Sequence, residues 1–351
     1  MAYQACDTFD HYNTAMLGNV YDSVTGSPVV SSAYARFPAV GSYPNLGVSI
    51  PSGALLGKNL KSNQATLIAF LSYGCVTLGS GSPNPIIGFG DSNFLQCGLQ
   101  VLPTGALQFY NNPGLIGSPS AAGLIAPSSV PNHGIEVIVT FSPTAGSVEC
   151  WLDGALVIAL TGSLKTTQTA NSWANQITLG GGGIGNASTR GMYCDYWRVW
   201  DALGSYQNAP LGFDVRKLTK LPQGAGALTG WAPNGAAANW QCTDDASPDG
   251  DTTYVSANAA ATYDSYAMGT SGLTGLPSMV VAKSYVRKDD ANTRAIEVGV
   301  RSGSSNSLGS PYVLGSSYVY VDACISVDPA TGSPATAAAA DAYQHLKEET
   351  T

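Results

Sequence analysis

Hydrolysis needs either two carboxylates at a fixed separation or a nucleophile beside a base. The chain has three histidines, His11, His133 and His345. None has a nucleophile and an acid arranged around it in sequence. His11 lies near the chain end, His133 in a Pro-Asn-His-Gly turn, and His345 in an Ala-rich terminal stretch. No Gly-x-Ser-x-Gly elbow occurs. Polysaccharide depolymerases commonly use spaced Asp/Glu pairs. Only five glutamates exist, and Glu136, Glu348 and Glu349 read as a strand exterior and the chain tail. The expectation is a chain that is not an enzyme, with no catalytic and no cofactor-binding residues.

Other residues suit binding. Asp244, Asp245, Asp249 and Asp251 crowd one short Gly-, Ser- and Pro-containing segment. Oxygen-rich loops hold Ca²⁺, but the spacing is not that of an EF-hand and no closing Glu follows. Asp side chains that bond their own backbone in turns explain the same pattern. Asp153 and Asp195 are further Ca²⁺ candidates at a sheet rim. Six tryptophans fill cores more often than they stack on sugars. Trp173, Tyr318 and Tyr320 are the aromatic residues expected to touch a glycan or a partner. The seven cysteines are spread widely with no pair two residues apart, which excludes zinc and redox motifs. They read as buried thiols, with Cys6 a candidate for a bond between subunits.

Composition narrows the classes further. Net charge is −8 and no basic cluster exceeds Arg216-Lys217 with Lys220, so nucleic acid is not an expected partner. Only 11% of residues are charged, against about 25% in ordinary soluble proteins. No apolar run approaches ~18–20 residues, so no membrane insertion is expected. The first residues lack a basic region followed by an apolar stretch, so no secretory signal is expected.

The elements that must position these residues are strands. At 351 residues the chain exceeds what one core usually organises. Short alternating runs are separated by Gly, Pro, Asn and Ser. Ile135, Val137, Val139 and Phe141 share one face, with Glu136 and Thr140 on the other. After a turn at 142–146, Val148, Cys150 and Leu152 alternate with Ser147, Glu149 and Trp151. Asp153-Gly154 then suits a tight hairpin in which both central residues need positive φ. Ala155 to Leu160 returns, completing a three-strand meander. Further strands are expected at 65–71, 86–90, 97–102, 107–110, 176–179 and 192–200. Gly180 to Gly183 reads as a flexible loop. A short helix is expected over Asp214 to Leu221, within a connector spanning 206–225. Alternation resumes at 279–286, 296–301 and 318–327, and Ser333-Pro334 opens a helix expected over Ala335 to Glu349. The fold class expected is all-β: two antiparallel, jelly-roll-like β-sandwich domains, 1–205 and 226–351, with a short C-terminal helix.

Two resemblances sharpen this. The run from Val148 through Asp153-Gly154, then Ile177 to Gly181, then Tyr193 to Trp200, resembles the end of a concanavalin A-like, laminin-G-type jelly roll over residues 1–205. Members of that family bind glycans or proteins, or act as spacers. No acidic-and-Asn ligand set of the legume-lectin type stands out. The second resemblance covers about residues 222–347. Trp231 to Gly235 leads to Asn239-Trp240, followed by Asp251 to Val255, Arg287 to Arg294, and Val327 to Gly332. This order resembles a C-terminal module of structural proteins of tailed bacteriophages, with Pro334-Ala335 where that module often has Trp. The resemblance implies a structural protein exposed on the virion surface, of the minor tail or fibre type, aiding attachment to host-surface glycans. A capsid (head) decoration and a glycan-binding adhesin or lectin are the alternatives. Implied partners are other virion proteins, copies of the chain itself and host-surface glycan; the implied location is the virion, assembled in the host cytoplasm.

Overall fold

The structure, a computed structural model, describes residues 3–37, 45–79, 81–92, 94–111, 114–181, 190–203, 210–212, 217–270, 272, 275, 277 and 279–351. The protein is all-β, with 48% of the described residues in strands and 6% in helix. It divides into two compact units, Met1–Lys217 and Leu218–Thr351.

The first unit packs two antiparallel sheets face to face. The seven-stranded sheet runs Leu115–Ile116, Leu107–Tyr110, Phe94–Val101, Asn84–Asp91, Ala174–Leu179, Leu55–Gln64, Ser23–Thr25. The nine-stranded sheet runs Ala155–Leu164, Gly146–Leu152, His133–Thr140, Thr66–Cys75, Met192–Cys194, Gly47–Ile50, Val29–Ser31. Trp197–Asp201 also pairs with Thr66–Cys75, and Tyr3–Asp7 with Trp197–Asp201. The period-two pattern places Val137, Val139, Val148 and Cys150 from one sheet, and Phe89, Cys97 and Leu99 from the other, in the core. Phe89 meets Phe141 edge-on at 6.0 Å between the layers. The expected meander is present, and its hairpin has Asp153 at φ 52° and Gly154 at φ 84°.

The second unit is a smaller sandwich of unequal layers. Its six-stranded sheet runs Gly224–Thr229, Thr262–Ala267, Gln344–Glu349, Ala295–Ser302, Ser305–Leu308, with Tyr312–Val313 also on Ala295–Ser302. A ribbon of Val280–Val286 and Val319–Ile325 lies over it. Ala282, Val321 and Ile325 of the ribbon pack against Ile296, Val298 and Val300 of the sheet.

Several expectations are corrected. The terminal helix covers only Ala337–Ala342, capped by Thr336, whose hydroxyl accepts from the Ala339 amide at 3.1 Å. Gln344–Glu349 is a strand between two partners: Lys347 lies opposite Asp264 on one side and Val298 on the other. Its local helical propensity yields to two ladders of backbone hydrogen bonds. Residues 192–200 form two strands, because the Ser72 hydroxyl accepts from the Asp195 and Tyr196 amides at 2.8 and 3.0 Å and interrupts the ladder. Of the helix expected over Asp214 to Leu221, residues 214–216 lie outside the described residues, and 217–221 are not helical. Glu136 is not exterior. It is buried and accepts from the Leu211 and Gly212 amides, and burial pushes its carboxyl up. No disulfide joins any of the seven cysteines. Cys6 and Cys324 are half-buried and the other five are buried. Among the described residues no helix is long and apolar enough to cross a membrane.

Lys217, read from sequence as part of a small basic cluster, is an internal lock. Its side chain is 4% exposed, and its partners Asp10 and Asp195 are 2% and 0% exposed. Its ammonium donates to Asp10 Oδ1 at 2.9 Å and to the Thr8 and Leu46 carbonyls at 2.6 and 2.5 Å, and it pairs with the Asp195 carboxylate. Removing one partner of a buried ion pair strands the other charges. Lys217→Met is expected to destabilise the first unit by about 3–5 kcal/mol, seen as a lower urea midpoint in its unfolding transition.

His345 plays the corresponding part in the second unit. Its Nε2–H donates to the Lys283 carbonyl at 3.1 Å, and burial together with nearby Lys347 lowers its pKa to about 4. The unfolded chain takes up this proton near 6.5 and the folded chain only near 4. The neutral ring's contribution is therefore complete above pH 6.5 and is lost as pH falls towards 4, by roughly 3 kcal/mol. Urea melts from pH 7 to 4 are expected to show this loss in the second unit, and His345→Gln to flatten it.

Candidate functional site: a clamped aromatic rim

At one end of the seven-stranded sheet, the hairpin of Asn84–Asp91 and Phe94–Val101 carries a register shift between Phe89 and Gly90. Phe89 lies opposite Cys97 and Gly90 opposite Leu95, so Gln96 is the extra residue. Bulges re-aim side chains in this way.

The freed Gln96 clamps the loop that follows the nine-stranded sheet's edge strand. Its carboxamide oxygen accepts from the Gln168 and Thr169 amides at 2.6 and 3.1 Å. Its NH₂ donates to Thr169 Oγ1 at 2.7 Å and to the Trp173 carbonyl at 3.2 Å. Asp91 holds the same loop from below, accepting from Thr169 Oγ1 at 2.7 Å and Asn171 Nδ2 at 2.8 Å. Both Gln96 and Asp91 are buried. The Gln96 carboxamide and Asp91 Oδ2 are spent on the loop, which fixes its conformation, while Asp91 Oδ1 accepts from the Ser92 hydroxyl at 3.0 Å.

The result is a fixed rim with Trp173 half-buried, Ala170, Asn171 and Ser172 exposed, and Phe94 66% exposed at the hairpin tip. Of the described residues in 91–96 and 168–175, only Asp91 ionises, and it is enclosed. The exposed surface therefore offers an indole, a phenyl ring, amides and hydroxyls without charge. That chemistry suits uncharged polyhydroxy ligands, which present CH faces to aromatics and hydroxyls to amides.

The other expected contacts fall in the second unit. Tyr318 and Tyr320 lie on the outer face of the ribbon with Tyr285 between them. Tyr285 stacks on Tyr318 at 4.7 Å with planes 10° apart, and its centroid is 4.6 Å from that of Tyr320. The Arg287 guanidinium caps the column 5.3 Å from the Tyr318 ring. Tyr285 thus lies against both rings, and Tyr318 also carries the guanidinium; the three tyrosines form an aromatic ridge.

The aspartates do not form one oxygen cage. Asp251 accepts from the Tyr318 hydroxyl at 2.7 Å and Arg287 Nη2 at 2.9 Å, and these bonds hold its carboxyl below the usual carboxylate range. Asp249 accepts from the Thr253 amide and hydroxyl at 3.2 and 2.9 Å, a turn contact. Asp245 is pushed up by burial and by neighbouring Asp249 and Asp244. Asp153 binds His133 Nδ1 at 2.7 Å and the Gly134 amide at 2.8 Å, while Asp195 is taken by Lys217 and the Arg36 amide. Among the described residues no group of three or more His, Cys, Asp and Glu side chains is placed to hold a metal ion. Of the three histidines, His133 pairs with Asp153 at the hairpin, His345 is in the core of the second unit, and His11 sits edge-on to Tyr12 at 4.9 Å.

No family model matches the sequence, and no curated protein matches it. Solved structures do. The alginate lyase Aly36B is 12% identical with a TM-score of 0.31, covering 57% of this chain and 96% of that one. Domain 4 of AbnA, a GH43 extracellular arabinanase from Geobacillus stearothermophilus solved with arabinotriose, is 12% identical with a TM-score of 0.30, covering 57% and 94%. Trypanosoma rangeli sialidase is 16% identical with a TM-score of 0.29, covering 49% of this chain and 26% of that one. At such identities the likeness concerns the β-sandwich architecture alone. It also corrects the expectation that the chain is not an enzyme. Structures of this general architecture include carbohydrate-active enzymes, so a scarcity of Glu and the lack of a sequence motif do not exclude catalysis.

Gln96→Ala removes the clamp and leaves the Gln168 and Thr169 amides and the Asp91 carboxylate short of partners, at a cost of about 1–3 kcal/mol. Hydrogen exchange is expected to show lost protection across 168–173, with the Phe94–Val101 ladder unchanged.

Proposed function

We propose that the chain is a surface component of a tailed-phage virion, of the minor tail or fibre type, whose first unit presents the Trp173 rim to host-surface glycan. The observation that carries the virion reading is the ordered set of motifs in the second unit, two of which are joined by an ion pair. Asp251 of the first motif pairs with Arg287 of the next. Asp290 and Arg294 pair with each other at 2.8 Å, and Arg294 reaches Glu349 at 2.5 Å. Asp328 closes its own turn, accepting from the Ala330 amide at 3.2 Å and the Thr331 hydroxyl at 3.1 Å. The Asp251–Arg287 pair thus links the first of these motifs to the next across the unit. The glycan reading rests on the uncharged rim and its fixed backbone.

Mass spectrometry of purified particles is expected to find the chain, and immunogold labelling to place it on the tail. Label on the head would replace the tail reading with a head decoration, and absence from particles would remove the virion reading. On the purified chain, Trp173→Ala is expected to weaken binding to host polysaccharide about tenfold or more, the loss of roughly 1.4 kcal/mol of aromatic contact. Equal binding by wild type and variant would detach the glycan from this rim.

A further inference from the structure

The face of the seven-stranded sheet turned away from the core has an order of its own. Along each strand, core positions alternate with outward ones. Phe109, Leu99, Ile87 and Leu179 lie opposite one another and are buried in the core. The next row across the same strands therefore faces outward: Leu115, Tyr110, Gly98, Gly88 and Thr178. Gln108 and Gln100 pair with each other two positions along and share that face. None of these residues carries a charge at neutral pH.

Gly98 lets the tyrosine lie down. A Cβ there would stand 2.8 and 2.9 Å from Cε1 and Cζ of Tyr110, so the ring rests on the neighbouring strand where a side chain would lift it. Tyr110 is half-buried, and Leu115 beside it is 66% exposed, so the row is open on that side. It closes at Thr178, whose hydroxyl donates to the Gly181 carbonyl at 3.2 Å. Two polar groups on the open part lack partners. The Tyr110 hydroxyl is buried with none. Gln100 is 6% exposed, and its amide bonds to no described residue. The neighbouring Gln108 amide, by contrast, donates to the Ile116 and Gly117 carbonyls at 3.1 and 2.9 Å. Polar groups enclosed without partners cost stability, and a hydroxyl-rich ligand supplies what they lack.

We propose that this face is a second glycan subsite, with the Tyr110 ring as platform beside Leu115 and the Gln100 amide as its hydrogen-bonding group, so that the ligand is an extended neutral oligosaccharide reaching from the Trp173 rim onto the sheet. The subsite rests on the reading of that rim as a glycan site and fixes the kind of glycan it takes. Rim and platform belong to one surface. Gly98 follows the clamp residue Gln96 by two positions on one strand, ~6.6 Å. Asn111, next after Tyr110, donates from Nδ2 to the Lys165 carbonyl at 3.0 Å, where the loop that carries the rim begins. The strand of Tyr110 and the strand that follows Trp173 are three strand spacings apart, ~14 Å. A single sugar cannot touch both, and a chain of sugars can. Its CH faces suit the ring and its hydroxyls suit the amide.

Isothermal titration of the full chain tests this, with fragments cut from host-surface polysaccharide by mild acid and graded from monosaccharide to octasaccharide. Affinity is expected to rise about tenfold or more beyond the disaccharide, and neutral fragments to carry the binding. Gln100→Met and Gly98→Ala are each expected to erase that rise, the first by removing the amide and the second by lifting the ring. The urea midpoint of Gln100→Met is expected to equal or exceed that of wild type, because the amide it removes has no partner. A lower midpoint would show the amide to be engaged within the fold and would count against the subsite. Affinity that is independent of length, or variants that keep the rise, would overturn the subsite while leaving the Trp173 rim in place. Binding confined to acidic fragments would overturn the neutral ligand. Failure of every fragment to bind wild type would remove the rim reading, and the subsite with it.

Discussion

The first unit depends on how it encloses carboxylates. A chain with so few charged residues still buries Asp7, Asp10 and Asp195 near one another, where the nine-stranded sheet closes on its N-terminal strand. Asp7 accepts from the Tyr12 and Tyr21 hydroxyls and the Phe9 amide, and Tyr21 in turn accepts from Trp197 Nε1 at 2.8 Å. Asp10 and Asp195 share Lys217. Each carboxylate is tolerable inside only because every neighbour donates to it. The knot joins residues 7–21, 36, 46, 72, 195–197 and 217, so the N-terminal strand and the segment carrying Lys217 are fixed together. Hydrophobic layering alone leaves the pairing of Tyr3–Asp7 with Trp197–Asp201 unspecified; the buried polar groups specify it.

The same rule shapes the rim. Gln96 and Asp91 are too polar to be buried unless the loop at 168–173 supplies their partners. Satisfying the buried amide and presenting Trp173 are therefore one structural act. A half-exposed indole on a fixed backbone can bind with little ordering cost. The tyrosine ridge of the second unit reaches rigidity differently, by stacking side chain on side chain.

Much of this architecture was legible from alternation. The meander at 133–164 and the ribbon strands show period two because one face of each is in a core and the other is not. Leu55–Gln64 was not legible: its run of Lys, Asn, Ser and Gln carries little apolar signal, and backbone pairing to strands on both sides sustains it. Gln344–Glu349 hid behind an Ala-rich helix start, since only tertiary pairing distinguishes a short central strand from a helix end. For the site, Trp173 was visible as an aromatic in a polar loop. Gln96, Asp91 and Asn171 were not, because their role depends on a one-residue bulge that no local pattern announces. Lys217 was misread for a related reason. A lysine in a loop is ordinarily solvated, and its burial depends on two aspartates far away in sequence.

The motif residues of the second unit have a further consequence. Asp251, Arg287, Asp290, Arg294 and Asp328 spend their polar groups within the unit. Residues used this way define a module, because losing one partner leaves another unpaired and the fold weakens. They leave the contact chemistry to residues between them. Tyr285, Lys283, Tyr320 and Asp322 occupy the outward positions of strands whose inward positions build the core, so they can vary without disturbing it. A module built this way keeps its scaffold while its outer ribbon face is free to specify different partners.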